Sequence, residues 1–402
     1  MADIRYAWMI PILQHDFERD PTVPNESDSA RTAPLSGDRP HHAVTSSAAG
    51  RRPEEVRSTR VDSPHETPQP WEHGLVGSIL GVQILGTGSS APDTVVPNEE
   101  LASLGFDSDW IVQRTGILQR HRAPEGVCTS EVAYPAAVAC LEQAGVSAKE
   151  LDLIIVATMT PDCPTPSTSC NLQLKLGATC PAMDLNAACS GFMYALAVGA
   201  QFVAANPSLK VLVLGVDLMS RTVNPKDHKT FALFGDGAGA VLLGHGSGEQ
   251  GLLSYFLGAQ ADGGRFLAQP GGGTCEPITP ENYAEGRQYV VMDGRAVFKW
   301  AVRMVDLACR RVLEAAELTI DDIDSVIMHQ ANIRIIEAAA NSLKIPREKL
   351  FVNVDRYGNT SAGSVPLALD EAVRDNKIRR GDKLLMVGFG AGFTWGACVL
   401  QW

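Results

Sequence analysis

Among the nine cysteines of this 402-residue chain there is no Cys-x-x-Cys pair, so neither a zinc site nor a disulfide framework is written in it. Their odd number and scattered spacing point instead to a reducing, cytoplasmic setting. Positive charge is scarce. Lys and Arg total 34 against 46 Asp and Glu, a formal charge of −12. That balance excludes the broad basic face of a nucleic-acid-binding protein, while a local basic patch could still meet an acidic partner. The N-terminal apolar run Ala7-Trp-Met-Ile-Pro-Ile-Leu13 is too short to span a bilayer, contains Pro11, and lacks the small-residue cleavage site of a secretory signal. After Gly86-Thr-Gly88 no third glycine opens a helix; Ser89-Ser90, Pro92 and Pro97 come next, which leaves a dinucleotide fingerprint incomplete. From about Asp20 to His73 large aliphatic residues are nearly missing. Such a segment buries too little apolar surface to offset its ordering entropy and reads as disordered.

The remainder carries a hydrophobic fraction large enough for an extensive core, 45% over the whole chain, and it repeats itself. Val146-Ser-Ala-Lys-Glu-Leu-Asp-Leu-Ile-Ile-Val156 lines up with Leu318-Thr-Ile-Asp-Asp-Ile-Asp-Ser-Val-Ile-Met328, each an acidic turn feeding a buried strand. Lys210-Val-Leu-Val-Leu-Gly215 lines up with Lys383-Leu-Leu-Met-Val-Gly388 at the same displacement to within one residue. Helical segments such as Glu131 to Ala144 and Ala296 to Glu317 alternate with these strands, so the spacing predicts a duplicated α/β unit. A single strand is expected over Ser78 to Ser90. Small residues in Phe234-Gly-Asp-Gly-Ala-Gly-Ala-Val-Leu-Leu243 let two backbones pack closely. The glycine-rich stretch from Ala259 to Pro277 reads as a surface excursion or a lid.

Chemistry centres on Cys189. It lies between a short apolar strand ending near Asp184-Leu and a helix whose apolar positions include Met193, Leu196, Ala197, Ala200 and Val203. A thiol in the first turn of a helix faces unpaired N–H donors and the positive end of the macrodipole, both favouring thiolate. Ser190-Gly191 leaves space for a carbonyl to approach. His329 falls at the C-terminal end of a second-half strand, where α/β proteins assemble sites. Asn359 lies in the small-residue turn Tyr357-Gly-Asn-Thr-Ser-Ala-Gly-Ser364 ahead of an apolar helix. A thiol, an imidazole and a carboxamide could form a thioester and stabilise an enolate. The crowded glycines of Gly388-Phe-Gly-Ala-Gly-Phe-Thr-Trp-Gly396 would bring backbone N–H groups to the thioester oxygen, beside the amide of Cys189. Trp110 and Arg114 suit a flat ligand carrying phosphate.

Asn186-Ala-Ala-Cys-Ser-Gly-Phe192, His329-Gln-Ala-Asn332, Gly358-Asn-Thr-Ser-Ala362 and Gly388 to Gly396 together resemble β-ketoacyl-acyl-carrier-protein synthase III, from about Ser78 to Trp402. The resemblance implies a thiolase-like fold, with duplicated α/β halves forming a layered αβαβα core, usually as a homodimer. It divides the chain into an extension (1–77), a half carrying the cysteine (78–250) and a half carrying His and Asn (251–402). It further implies that an acyl-CoA acylates Cys189, after which His329 and Asn359 assist decarboxylation of malonyl-acyl-carrier protein. The resulting carbanion attacks the acyl-enzyme to give a 3-oxoacyl product, the first condensation of fatty acid synthesis, with no metal or redox cofactor. Carried over with it are an oxyanion hole from the amides of Cys189 and Ala391, and CoA contacts at Trp110 and Arg114. Where the family has a second arginine against the adenine, this chain has His228, with Lys229 beside it. Lys299 and Arg334 match basic positions proposed for carrier docking, whereas the following basic pair is Asn341-Ser342 here. Thr165 stands where the family can carry a bulky aromatic that limits acyl length, which hints at a roomier pocket. The rivals are an acyltransferase or condensing enzyme of secondary metabolism using the same thiol, and a catalytically inert partner subunit. Thiolases would need a second cysteine just before the last glycine cluster, and Cys398 lies beyond it.

Overall fold

The computed structural model describes residues 67–102 and 105–402. The expected disorder from Asp20 onward lies outside the described residues up to position 66. From 67 to His73 the chain is instead held to the fold, with Gln69 bonded to Gln260 and Arg303 at 3.0 Å, and strand Leu75–Leu80 already begins within the 1–77 extension. Two main sheets organise the fold. One has five strands, in spatial order Val82–Ser90, Asp236–His245, Val211–Leu218, Leu153–Ala157 and Ala182–Leu185. The other runs Gly251–Ala259, Thr394–Gln401, Lys383–Gly390, Ser325–Met328 and Leu350–Phe351, with Leu75–Leu80 added at its outer edge. In both, the first three strands pair antiparallel and the last three parallel, so the duplication read from the sequence is a repeat of topology as well.

Helices Gly191–Ala205 and Ser364–Arg374 lie between the sheets, where Phe192, Met193, Val365 and Leu369 share one core with Ile155 and Val213 of one sheet and Leu384 and Met386 of the other. Outside the first sheet pack Thr129–Ala144 and Thr168–Leu176; outside the second, Gly294–Ala315 and Ile333–Leu343. The result is five layers, αβαβα, the thiolase-like arrangement. Central position explains composition: Ala188–Ala205 is apolar enough to cross a membrane by length and hydropathy, yet most of it is buried in the protein core, with only its last turn, Gln201, Phe202, Ala204 and Ala205, exposed.

One expectation is corrected here. Ser78 to Ser90 is not one strand but two, in different sheets, because Gly81 takes a left-handed φ of 77° and turns the chain, its amide bonding Gln250 O at 2.9 Å. The Ala259 to Pro277 excursion is also more ordered than its glycines suggest: Leu267–Ala268 pairs with Val291–Met292, and Arg287 clamps Glu276 at 2.6 Å.

The small residues around Gly237 act as read, since central elements lie directly on them. A side chain at Gly239 would run into the backbone of Pro366 and Leu367, and one at Gly215 into the carbonyl of Ala362. Gly239→Ala is expected to destabilise the fold by about 1–3 kcal/mol through forced displacement of the central helix. Thermal unfolding followed by circular dichroism tests this; an unchanged midpoint would mean that the helix is not seated on that strand.

Candidate active site

Both central helices start from strained turns that face each other. Ala188 takes φ 48° and Ser361 φ 51°, left-handed values that cost a non-glycine residue about 1 kcal/mol or more and persist only where surroundings enforce them. Each opens a short 3-10 turn, Ala188–Ser190 and Ser361–Gly363, that leads directly into its helix. Cys189 is 7% exposed. Its sulfur receives hydrogen bonds from the amides of Cys189 itself and Ala391, and Ser361 Oγ lies 3.4 Å away. Burial, reinforced by the nearby Asp217 charge, pushes the thiol up to about 12 against the pull of these donors. That rise from 9 corresponds to roughly 4 kcal/mol. A helix end contributes about 2 kcal/mol at best, so desolvation wins. Burial thus opposes the thiolate that the helix start favours.

His329 follows strand Ser325–Met328, and its amide continues the ladder to Val387 O at 2.8 Å. Its Nδ1 is 2.5 Å from Ser364 Oγ, and that oxygen also accepts the Gln330 amide at 3.2 Å. Among the described residues the Ser364 hydroxyl has no other acceptor, so its proton goes to Nδ1 and leaves Nε2–H as the group facing the cavity. Burial lowers the imidazole to about 3. Asn359 is oriented in the same way: its Oδ1 accepts the Ser361 amide at 2.9 Å, which turns the NH2 toward the cavity that Cys189, His329 and Asn359 line together. Backbone bonds from Asn359 N to Leu233 O and from Gly235 N to Asn359 O, both 3.0 Å, lock the turn in place.

The glycine-rich strand is required by proximity. A Cβ on Gly390 would sit 2.6 Å from the Cys189 amide and 3.0 Å from its Cβ, and one on Gly388 3.1 Å from Met193 Cγ. Glycine at these positions lets the strand lie against the thiol and aim the Ala391 amide at it.

A cavity of about 610 Å³ runs from this centre to the surface past Phe298, Trp300, Phe389 and Leu233. Trp110, Arg114, Lys229, Lys299 and Arg334 all line it. Residues expected to contact CoA and residues expected to dock a carrier therefore share one cationic entrance. Trp110 is 44% exposed, with the Arg114 guanidinium 5.9 Å from its ring centroid. His228 does not line the cavity; it stacks on Phe106 at 4.2 Å, which turns its ring away from the entrance. Arg295 also lines the cavity and was not anticipated, although it precedes Lys299 by one helical turn and so shares its face. On the other side of Cys189 a small cavity of about 30 Å³ is lined by Met159, Met219, Phe234, Leu267 and Val290. Thr165 lines neither cavity of the single chain and is exposed on the loop preceding helix Thr168–Leu176. Among the described residues no group of three or more His, Cys, Asp or Glu could hold a metal ion.

Residues 183–261, which include Cys189, match the family model described as 3-oxoacyl-[acyl-carrier-protein] synthase III; residues 313–402, which include His329 and Asn359, match that of its C terminal part. A beta-ketoacyl-[acyl-carrier-protein] synthase III from Rhodopirellula baltica is 52% identical over 345 residues, covering 81% of this chain and 100% of that protein. The crystal structure of 3-oxoacyl-[acyl-carrier-protein] synthase III from Aquifex aeolicus is 40% identical, covers 81% of this chain and 100% of its own, and superposes with a TM-score of 0.74. The priming beta-ketosynthase of the R1128 polyketide biosynthetic pathway, at 35% identity and a TM-score of 0.74, covers 80% and 96%. On these likenesses the chain belongs to the β-ketoacyl-[acyl-carrier-protein] synthase III family, condensing enzymes of the acyltransferase class.

Proposed function

We propose that this chain condenses an acyl-CoA primer with malonyl-acyl-carrier protein to give a 3-oxoacyl-acyl-carrier protein, CoA and carbon dioxide, initiating fatty acid synthesis. The observation that carries the reading is the convergence of Cys189, His329 Nε2–H and the Asn359 NH2 on one apolar tunnel with a cationic mouth. The thiol attacks the thioester carbonyl, and the amides of Cys189 and Ala391, already directed at the sulfur, receive the developing oxyanion. Once CoA has left, malonyl thioester enters by the same tunnel. Two neutral donors, His329 and Asn359, then face the thioester oxygen that becomes an enolate as carbon dioxide departs, and the enolate carbon attacks the acylated Cys189. Arg114, Lys229, Lys299, Arg334 and Arg295 suit the phosphates of CoA and an acidic carrier in turn. In this reading the enzyme works without a redox or metal cofactor as a cytoplasmic homodimer. The edge strand Ala182–Leu185, with one side of its backbone unpaired in its sheet, and the exposed Thr165 loop support an interface on that face. A condensing enzyme of secondary metabolism is the second reading, favoured by the likeness to the polyketide priming ketosynthase.

The half-reactions separate the roles. Cys189→Ala is expected to take up no label from radioactive acetyl-CoA, whereas His329→Ala and Asn359→Ala should still be acylated but lose carbon dioxide release by about 10²–10³-fold. Decarboxylation unaffected in both variants would remove the enolate role.

Primer size follows from the small acyl-side cavity, which has room for little more than an acetyl group. Acetyl-CoA should acylate Cys189 at least about tenfold faster than octanoyl-CoA, and Met219→Ala should narrow the gap. A chain-length panel read by mass spectrometry that showed equal rates would refute this.

The pH dependence of stability has a definite sign. An unfolded histidine titrates at 6.5 and the folded one at about 3, so as pH falls below 6.5 only the unfolded chain takes up this proton. His329 therefore withdraws stability progressively between those values. Unfolding midpoints measured over that range should fall less steeply in His329→Asn than in the parent; parallel curves would contradict a neutral buried imidazole.

A further inference from the structure

We infer that Arg120 is a positioning residue for Asn359: its buried guanidinium fixes segment 232–235, on which the Asn359 backbone rests, and so sets where the carboxamide meets the enolate oxygen; this rests on the decarboxylation reading above. The two donors that face the enolate are held in different ways. His329 is fixed within its own half of the chain, by the Val387 carbonyl and the Ser364 hydroxyl. The backbone of Asn359 is fixed by the other half: an isolated parallel bridge joins it to Phe234, with its N–H on Leu233 O and its carbonyl on the Gly235 amide. Any shift of segment 232–235 therefore moves Asn359 against His329.

Arg120 holds that segment from strand Gln119–His121, which pairs with Val95–Pro97. Its side chain is completely buried. Nη2 donates to Ala232 O at 2.8 Å and to Asn98 Oδ1 at 2.7 Å, and Nη1 donates to Val96 O at 3.0 Å. The stem packs beside both glycines that flank the bridge: its Cβ lies 3.1 Å from where a side chain on Gly235 would begin and 3.3 Å from where one on Gly358 would. One residue earlier in the segment, Arg122 Nη2 donates to Phe231 O at 2.9 Å, with its guanidinium 3.9 Å from the Phe231 ring centroid. Two successive carbonyls are thus tied down ahead of Leu233.

The cation is more than a filler. Burial first, and the neighbouring Arg122 charge second, lower Arg120 to about 10, which still leaves it charged at neutral pH. These three acceptors are all neutral, so its lost solvation is not repaid by a paired carboxylate, and an apolar side chain of similar volume would fill the space without that loss. What the guanidinium adds is direction: two nitrogens in one plane reach oxygens of Val96, Asn98 and Ala232 together, which neither an apolar side chain nor the point charge of a lysine does. The groups that serve loading, the amides of Cys189 and Ala391, come from other elements. Loss of Arg120 should therefore fall on one half-reaction.

Single-turnover loading from acetyl-CoA and carbon dioxide release from malonyl-acyl-carrier protein, both measured on the full-length protein, test the assignment. Arg120→Met is expected to load Cys189 within about threefold of the parent and to keep the KM for malonyl-acyl-carrier protein within about threefold, while kcat for carbon dioxide release falls about 10–100-fold. Adding Arg120→Met to Asn359→Ala should change the residual release by less than about twofold, because the positioned group is already gone. A merely structural role would slow both half-reactions and add to the loss. Arg120→Lys keeps the charge without the fork and should show the same selective loss to a smaller degree; it carries the test if Arg120→Met does not fold. Both half-reactions slowed alike, release unchanged, or a full further loss in the double variant overturns the role of Arg120. A parent that releases no carbon dioxide, or Asn359→Ala releasing it as fast as the parent, overturns the enolate reading instead.

Discussion

Exclusion of water from the layer between the two sheets is the constraint on which the site depends. Both central helices are covered on both faces, so each polar group at their N-terminal ends must find its partner within the protein or lose its solvation uncompensated. The small set of contacts around Cys189 follows from this. The Asn359 side-chain carbonyl is satisfied by the Ser361 amide, the His329 ring by Ser364, and Asp217 by five donors from one loop and a turn. Orientation at this centre is a by-product of satisfaction. The side chains that would touch substrate have their free donors pointing into the cavity because their other atoms are occupied.

Burial also decides the charge states, and in doing so selects the chemistry. Thiol and imidazole are both held neutral, the one at about 12 and the other at about 3. A Cys–His ion pair of the protease type is therefore unavailable. What the site offers is a set of fixed dipoles, two amides at the sulfur and two neutral donors across the cavity, preorganised for oxygens that gain charge. Decarboxylation needs that arrangement, since a cationic imidazole would favour holding the malonyl carboxylate as a salt rather than letting it go.

The chain reveals its fold and its reacting groups more readily than its pocket. The duplication could be read because buried parallel strands are continuous apolar runs, and two such runs with the same acidic turn ahead of them are hard to mistake. Cys189, His329 and Asn359 could be found because each closes a strand or opens a helix. Ser361 and Ser364 could not: nothing in Thr360-Ser-Ala-Gly-Ser364 distinguishes a hydroxyl that contacts sulfur from one that caps a turn until the fold brings residue 189 beside residue 361. His228 stands apart from the cavity for a related reason: its ring stacks on Phe106, a tertiary preference with no local signature. The helix-end argument for a thiolate is likewise local chemistry, and burial opposes it in a way that no local pattern shows.

Repetition of the fold explains why the site is asymmetric and single. The turns opening the two central helices are equivalent, with Ala188 and Ser361 sharing the same left-handed step, so the repeat brings two helix starts into contact. Chemistry requires that they differ. At the displacement of the repeat, His329 corresponds to Ala157, whose methyl packs 3.2 Å from where a side chain on Gly191 would begin, leaving no space there for a ring. Asp217 similarly corresponds to Gly390, which must stay bare to lie against the Cys189 amide. The second half has given up a side chain at Gly390, where the first half's backbone must approach, and the first half at Ala157, where its own central helix begins. The carboxylate thus falls behind the Ser361 turn and the glycine behind the Cys189 turn, and one nucleophile is served by groups from both copies.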